Sequence, residues 1–65
     1  MKFYEIQAVR TTIAFKEHGA EAGETGTVAL CFTKPREAYE VEFVNEDGST
    51  RAMFAIEPKY LEPLE

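Results

Sequence analysis

Residues 38–44 read Ala-Tyr-Glu-Val-Glu-Phe-Val, and from Tyr39 onward apolar and acidic side chains alternate strictly. A two-residue period puts Tyr39, Val41 and Phe43 on one face of an extended strand and Glu40 and Glu42 on the other. A helix would scatter these residues around its circumference. The next four residues, Asn45-Glu46-Asp47-Gly48, are hairpin chemistry, with Gly48 as the left-handed residue of a type I turn that closes in a bulge. Residues 49–56 therefore return antiparallel, with Ala52, Phe54 and Ile56 facing inward. An isolated hairpin is marginal in water, so the rest of the chain must supply further strands.

It does so in short pieces. Residues 6–14, with β-branched Val9, Thr11, Thr12 and Ile13, read as a first strand, and residues 25–32 as a second. The polar run 16–24 between them is a long connection, expected to hold one helical turn at 20–22 ended by Gly23. Thr33-Lys34-Pro35-Arg36 is a turn. Pro58 stops the ladder, Lys59-Tyr60 suit a single tight turn, and residues 61–64 close the chain as a short strand with Pro63 at an edge. No segment keeps a helical period for a dozen residues. The chain has 65 residues, and a flat sheet of that size exposes much edge, so closure into a small barrel is expected.

The stretch Gly23-Glu24-Thr25-Gly26-Thr27-Val28 looks at first like a phosphate-binding loop. That loop needs a helix after its glycines, and here a strand follows. Gly23 instead suits a positive φ in a turn, and Gly26 a bulge or a close chain crossing. Simple alternation beyond it puts Val28, Leu30 and Phe32 on one face and Ala29 and Cys31 on the other. Both faces are then apolar, although a barrel has one inside. The second strand is therefore expected to offer Leu30, with Phe32, to a partner or to a second copy in a weak homodimer.

The order G-x-x-G-T-V, Y-E-V-E-F-V, D-G and L-x-P-L, carried by Gly23, Gly26, Thr27, Val28, Tyr39 to Val44, Asp47, Gly48, Leu61, Pro63 and Leu64, resembles a family of short bacterial proteins of unassigned function. The resemblance implies an all-β single domain over residues 1–65: a small five-stranded SH3-like β-barrel with one short helical turn before the last strand. The glycine-led strand is also similar to KOW-type barrels. Family members are often encoded beside toxin-like genes, which implies an antitoxin or immunity role.

Charge sharpens the functional expectation. Residues 1–35 carry four acids and four bases, whereas residues 36–65 carry eight acids against three bases, which accounts for the whole net charge of −5. Such a field attracts basic surfaces and repels phosphate backbones. The expected function is a small acidic protein-interaction module. Glu40, Glu42, Glu46, Asp47 and Glu57, with Leu30 and Phe32, would meet a basic, toxin-like protein. A KOW-like RNA- or ribosome-associated module is the alternative, disfavoured because Lys34 and Arg36 form only one local basic cluster.

No catalytic, cofactor or metal site is expected. His18 is the only histidine, Ser49 and Asp47 occupy turn positions that bond nearby backbone, and Cys31 has no basic neighbour in sequence to activate it. A cytoplasmic protein with no membrane segment is the simplest setting for a chain with one cysteine and no long apolar run.

Overall fold

The hairpin expected at 45–48 is present in the computed structural model, which describes residues 2–64. Gly48 has φ 91° and donates its N–H to the Asn45 carbonyl at 2.9 Å, while the Asn45 N–H reaches the Ser49 carbonyl at 2.8 Å. The register shifts between Phe43 and Val44, so the turn closes in a bulge. Asp47 accepts from the Ser49 hydroxyl at 2.7 Å and the Ser49 N–H at 3.0 Å. Those bonds, the hydroxyl's first, hold its carboxyl below the usual range.

Five strands surround this turn: β1 Ala8–Thr11, β2 Thr25–Phe32, β3 Ala38–Val44, β4 Thr50–Ile56 and β5 Leu61–Pro63. They make one antiparallel sheet in the order β4-β3-β2-β1-β5. A 3-10 turn at Pro58–Tyr60 precedes β5, and another lies at Lys16–His18. The fold is all-β. The expected closure is absent: β4 and β5 are the two edges, and no ladder joins them among the described residues. The core lies on one side of the sheet, where Val9, Val28, Tyr39, Val41 and Phe43 are fully buried with Phe3, Ala20, Phe54, Ile56 and Leu61 around them.

The departures from expectation have local causes. The first strand stops at Thr11, where the opposing chain turns at Gly23: the Thr11 N–H still reaches the Glu24 carbonyl at 3.0 Å and its carbonyl the Gly23 N–H at 2.8 Å, while its buried hydroxyl donates to the Glu21 carbonyl at 2.9 Å and accepts the Glu24 N–H at 3.1 Å. The helical turn falls at 16–18 and not at 20–22, since Ala20 is drawn into the core while it exchanges backbone bonds with Phe15 at 2.8 and 3.1 Å. On β2 the pairing passes from Val28↔Val41 to Leu30↔Glu40, leaving Ala29 as an extra residue. This bulge overturns the simple alternation. Val28 points inward, Leu30 and Phe32 point outward, and Cys31 packs against the core.

One residue departs from all usual preference. Ile6 has φ 73° and is 78% exposed, in a turn closed by a Gln7 N–H to Tyr4 carbonyl bond of 3.1 Å. Its position is the one that type II turns reserve for glycine or asparagine, and a branched side chain there is strained. Ile6→Gly is therefore expected to raise stability by about 1 kcal/mol, the relief of left-handed strain exceeding the entropic cost of glycine. A denaturation midpoint below that of the wild type would show that the exposed side chain contributes more than its backbone costs.

Candidate functional site

The ladder register sorts the β2–β3–β4 face residue by residue. Inward rows are Val28–Val41–Phe54 and Cys31–Tyr39–Ile56. Outward rows are Thr27–Glu42–Met53 and Leu30–Glu40–Ala55, with Phe32 opposite Ala38 beyond them. Leu30 is 48% exposed, Met53 49% and Phe32 37%, so the outer face presents large apolar side chains on both sides of a pair of acids. Glu40 and Glu42 are half-buried among them.

Among the described residues the acids at the centre of this face have no counter-ion. The ion pairs among the described residues are Arg10–Glu62, Arg36–Glu57, Arg51–Glu24 and Lys59–Glu57, and none reaches Glu40 or Glu42. Glu42 accepts a hydrogen bond from the Thr50 hydroxyl, a neutral group. Two carboxylates on one strand, framed by hydrocarbon and without a cation, make a surface suited to a guanidinium or ammonium group on another molecule.

Of the expected site residues, Leu30, Phe32, Glu40 and Glu42 come together on this face. Glu46 and Asp47 sit in the hairpin beyond the ends of β3 and β4, and Asp47 is engaged with Ser49. Glu57 is neutralised locally, 3.0 Å from Arg36 and 3.8 Å from Lys59. Met53 and Ala55 belong to the face and were not anticipated there. The signal was present: if Ala52, Phe54 and Ile56 point inward, the residues between them point outward.

The groups considered for catalysis are dispersed. The His18 ring stacks on Phe54 with centroids 4.0 Å apart, while Ser49 and Asp47 bond each other in the hairpin. Cys31 is half-buried, with its Sγ 3.9 Å from the Phe3 carbonyl oxygen. Among the described residues no three histidine, cysteine or acidic side chains converge as metal ligands. No helix among them is long and apolar enough to cross a membrane.

A second polar arrangement is structural. The Tyr39 side chain is fully buried, and its hydroxyl oxygen accepts the N–H of Lys2 at 2.9 Å and of Phe3 at 3.1 Å while donating to Glu37. Glu37 also accepts the Lys2 N–H at 3.1 Å. Burial, then the Glu37 carboxylate, push the Tyr39 phenol up; the Tyr39 hydroxyl holds Glu37 down. The Phe3 ring meets that of Tyr39 edge-on at 5.2 Å, so the segment before β1 is pinned to β3.

Residues 5–63 match the model of a family described as Domain of unknown function (DUF4926). No curated protein and no solved structure matches the chain.

Proposed function

We propose, for a chain that belongs to the DUF4926 family of domains of unknown function, the role of an acidic protein-interaction module that docks a basic partner on its outer β2–β4 face. The observation that carries this reading is the uncompensated Glu40/Glu42 pair set between Leu30, Phe32 and Met53. The apolar frame supplies contact area, and the acids supply orientation and speed of encounter. Occlusion of a basic surface on a toxin-like protein, as an antitoxin or immunity protein would achieve, is the form of this activity that the net charge of −5 favours. The strand order, with β5 beside β1 and β2–β4 as a meander, supports an SH3-like reading of the domain.

The same acids argue against self-association through this face. A two-fold dimer would press four carboxylates together in a partly dry interface, which costs more than the apolar contact returns. Nucleic acid is likewise disfavoured, because four of the seven bases, Arg10, Arg36, Arg51 and Lys59, are each paired with an acid of the same chain.

The test is affinity capture from the native host at several salt concentrations, using the wild type, the Glu40→Gln/Glu42→Gln double variant and Leu30→Glu. A basic protein should be retained by the wild type and released by salt. Its association rate should fall about tenfold at low salt in the double variant, through loss of steering. Leu30→Glu, at an exposed position, should abolish retention in a domain that still folds. Retention indifferent to all three substitutions, or capture of RNA with a steep salt dependence, would overturn the proposal.

A further inference from the structure

The two edges of the sheet are unequal. β5 has three residues and ends in Pro63, and the following Leu64 N–H is turned back to the Ala8 carbonyl at 3.3 Å. β4 has seven residues, Thr-Arg-Ala-Met-Phe-Ala-Ile, with no proline and no acid. Its one cation, Arg51, is held by Glu24 and the Gly19 carbonyl. Beyond the ladder to β3, the backbone groups of Thr50–Ile56 have no protein partner among the described residues. Antiparallel pairing uses only alternate residues of a strand, so about half of these groups face the open side. Exposed edges are usually protected by proline, lysine or a bulge, and residues 52–56 carry none of these devices.

The two faces beside this edge ask for different side chains. On the outer face Met53 and Ala55 lie next to the edge, with Glu42 and Glu40 directly behind them on β3. A strand added about 4.8 Å from β4 stands roughly two spacings from those carboxylates, within reach of a lysine or arginine side chain. On the inner face a groove of about 350 Å³ opens between β4 and the turn at 15–18, with Phe15, His18 and Phe54 along its apolar side and the charged Lys16 and Glu17 also lining it. That side suits a branched apolar residue.

We infer that the free edge of β4 accepts an extended segment of the partner as a sixth strand, its side chains alternating between basic residues laid over Glu40 and Glu42 and apolar residues turned into the groove beside Phe54. The inference rests on the proposed role of the outer face and names the form in which the partner arrives. Charge complementarity selects the occupant. A second copy paired β4 to β4 would bring an edge that contains no lysine and whose only arginine is already engaged, and would leave both acid pairs uncompensated.

The probes are an eight-residue peptide alternating lysine and valine, its glutamate-valine counterpart, and two forms of the first N-methylated at either its odd or its even amides. Binding and amide hydrogen exchange are followed on the full chain. The lysine-valine peptide should slow exchange in β4 at least tenfold, and the glutamate-valine peptide should not bind. One methylated form should bind like the parent and the other fail, because only one edge of the added strand pairs. Equal binding of both methylated forms with unchanged β4 exchange would overturn strand addition while leaving the acidic face as a docking surface. Failure of the lysine-valine peptide to bind overturns the inference, and the host capture then decides separately on the face. Slowing of β4 exchange with protein concentration alone would make a second copy the occupant and also overturn it.

Discussion

Gly26→Val is expected to cost this domain a large share of its stability, about a third or more. A Cβ at position 26 would lie 2.6 Å from Val41 Cγ1, 2.9 Å from Phe43 Cε1 and 3.0 Å from the Glu42 carbonyl oxygen. None of these can yield easily: Val41 and Phe43 are fully buried, and the carbonyl belongs to the central strand. Gly26 pairs with Val9 across the β1–β2 ladder, and its missing side chain is what lets Val41 and Phe43 lie this close to the β2 backbone. Overpacking of this kind costs about 3 kcal/mol, more for the branched residue than for alanine. A domain of this size is stable by roughly 3–10 kcal/mol in all. Denaturant titration of Gly26→Ala and Gly26→Val should give a graded loss. An unchanged midpoint for valine would mean that the sheet opens at little cost.

Tyr39→Phe should have the second largest effect, about 2 kcal/mol, because removing one oxygen leaves the buried Phe3 N–H without an acceptor and frees the segment that carries the Phe3 ring. It should also flatten the pH dependence of stability. The Glu37 carboxyl is lowered by its bond from Tyr39, so its contribution is present above the ordinary value of 4.5 and is lost as pH falls through the lower folded value. The Tyr39 phenol is raised by burial and by Glu37, so its contribution is present below 10.0 and is lost as pH rises through the higher folded value. Phenylalanine removes the Tyr39 contribution and the larger part of that of Glu37, which keeps its bond from the Lys2 N–H. Thermal melts of the two proteins across the acid range would check this, and parallel curves would show that Glu37 draws nothing from Tyr39.

What was legible in the sequence was local. The two-residue period of residues 39–43 and the turn chemistry at 45–48 and 58–60 need only near neighbours, and β2, β3, the hairpin and the turn before β5 stand where those signals put them. The outward pair Glu40 and Glu42 follows from the same period. Burial set by distant residues was not legible. Nothing in Phe3-Tyr4 says which ring goes inside; the Tyr39 hydroxyl decides it from across the fold. Thr11 reads as one more β-branched strand residue, yet its buried hydroxyl ties the strand end to the turn at Glu21–Glu24. The bulge at Ala29 is silent as well, because a single extra residue leaves no compositional trace, and it alone carries Leu30 to the face of Glu40.

The sheet order has a kinetic meaning. β2, β3 and β4 pair with their neighbours in the chain, over short loops that close at low entropic cost, whereas β1 and β5 join nearly opposite ends through a register of three residues, Val9↔Pro63, Arg10↔Glu62 and Thr11↔Leu61. The meander is thus the nucleus expected from loop closure, and the β1–β5 seam is expected to form after the rate-limiting barrier. Weakening the Arg10–Glu62 contact across that seam should leave the folding rate alone and shorten the lifetime of the native state instead.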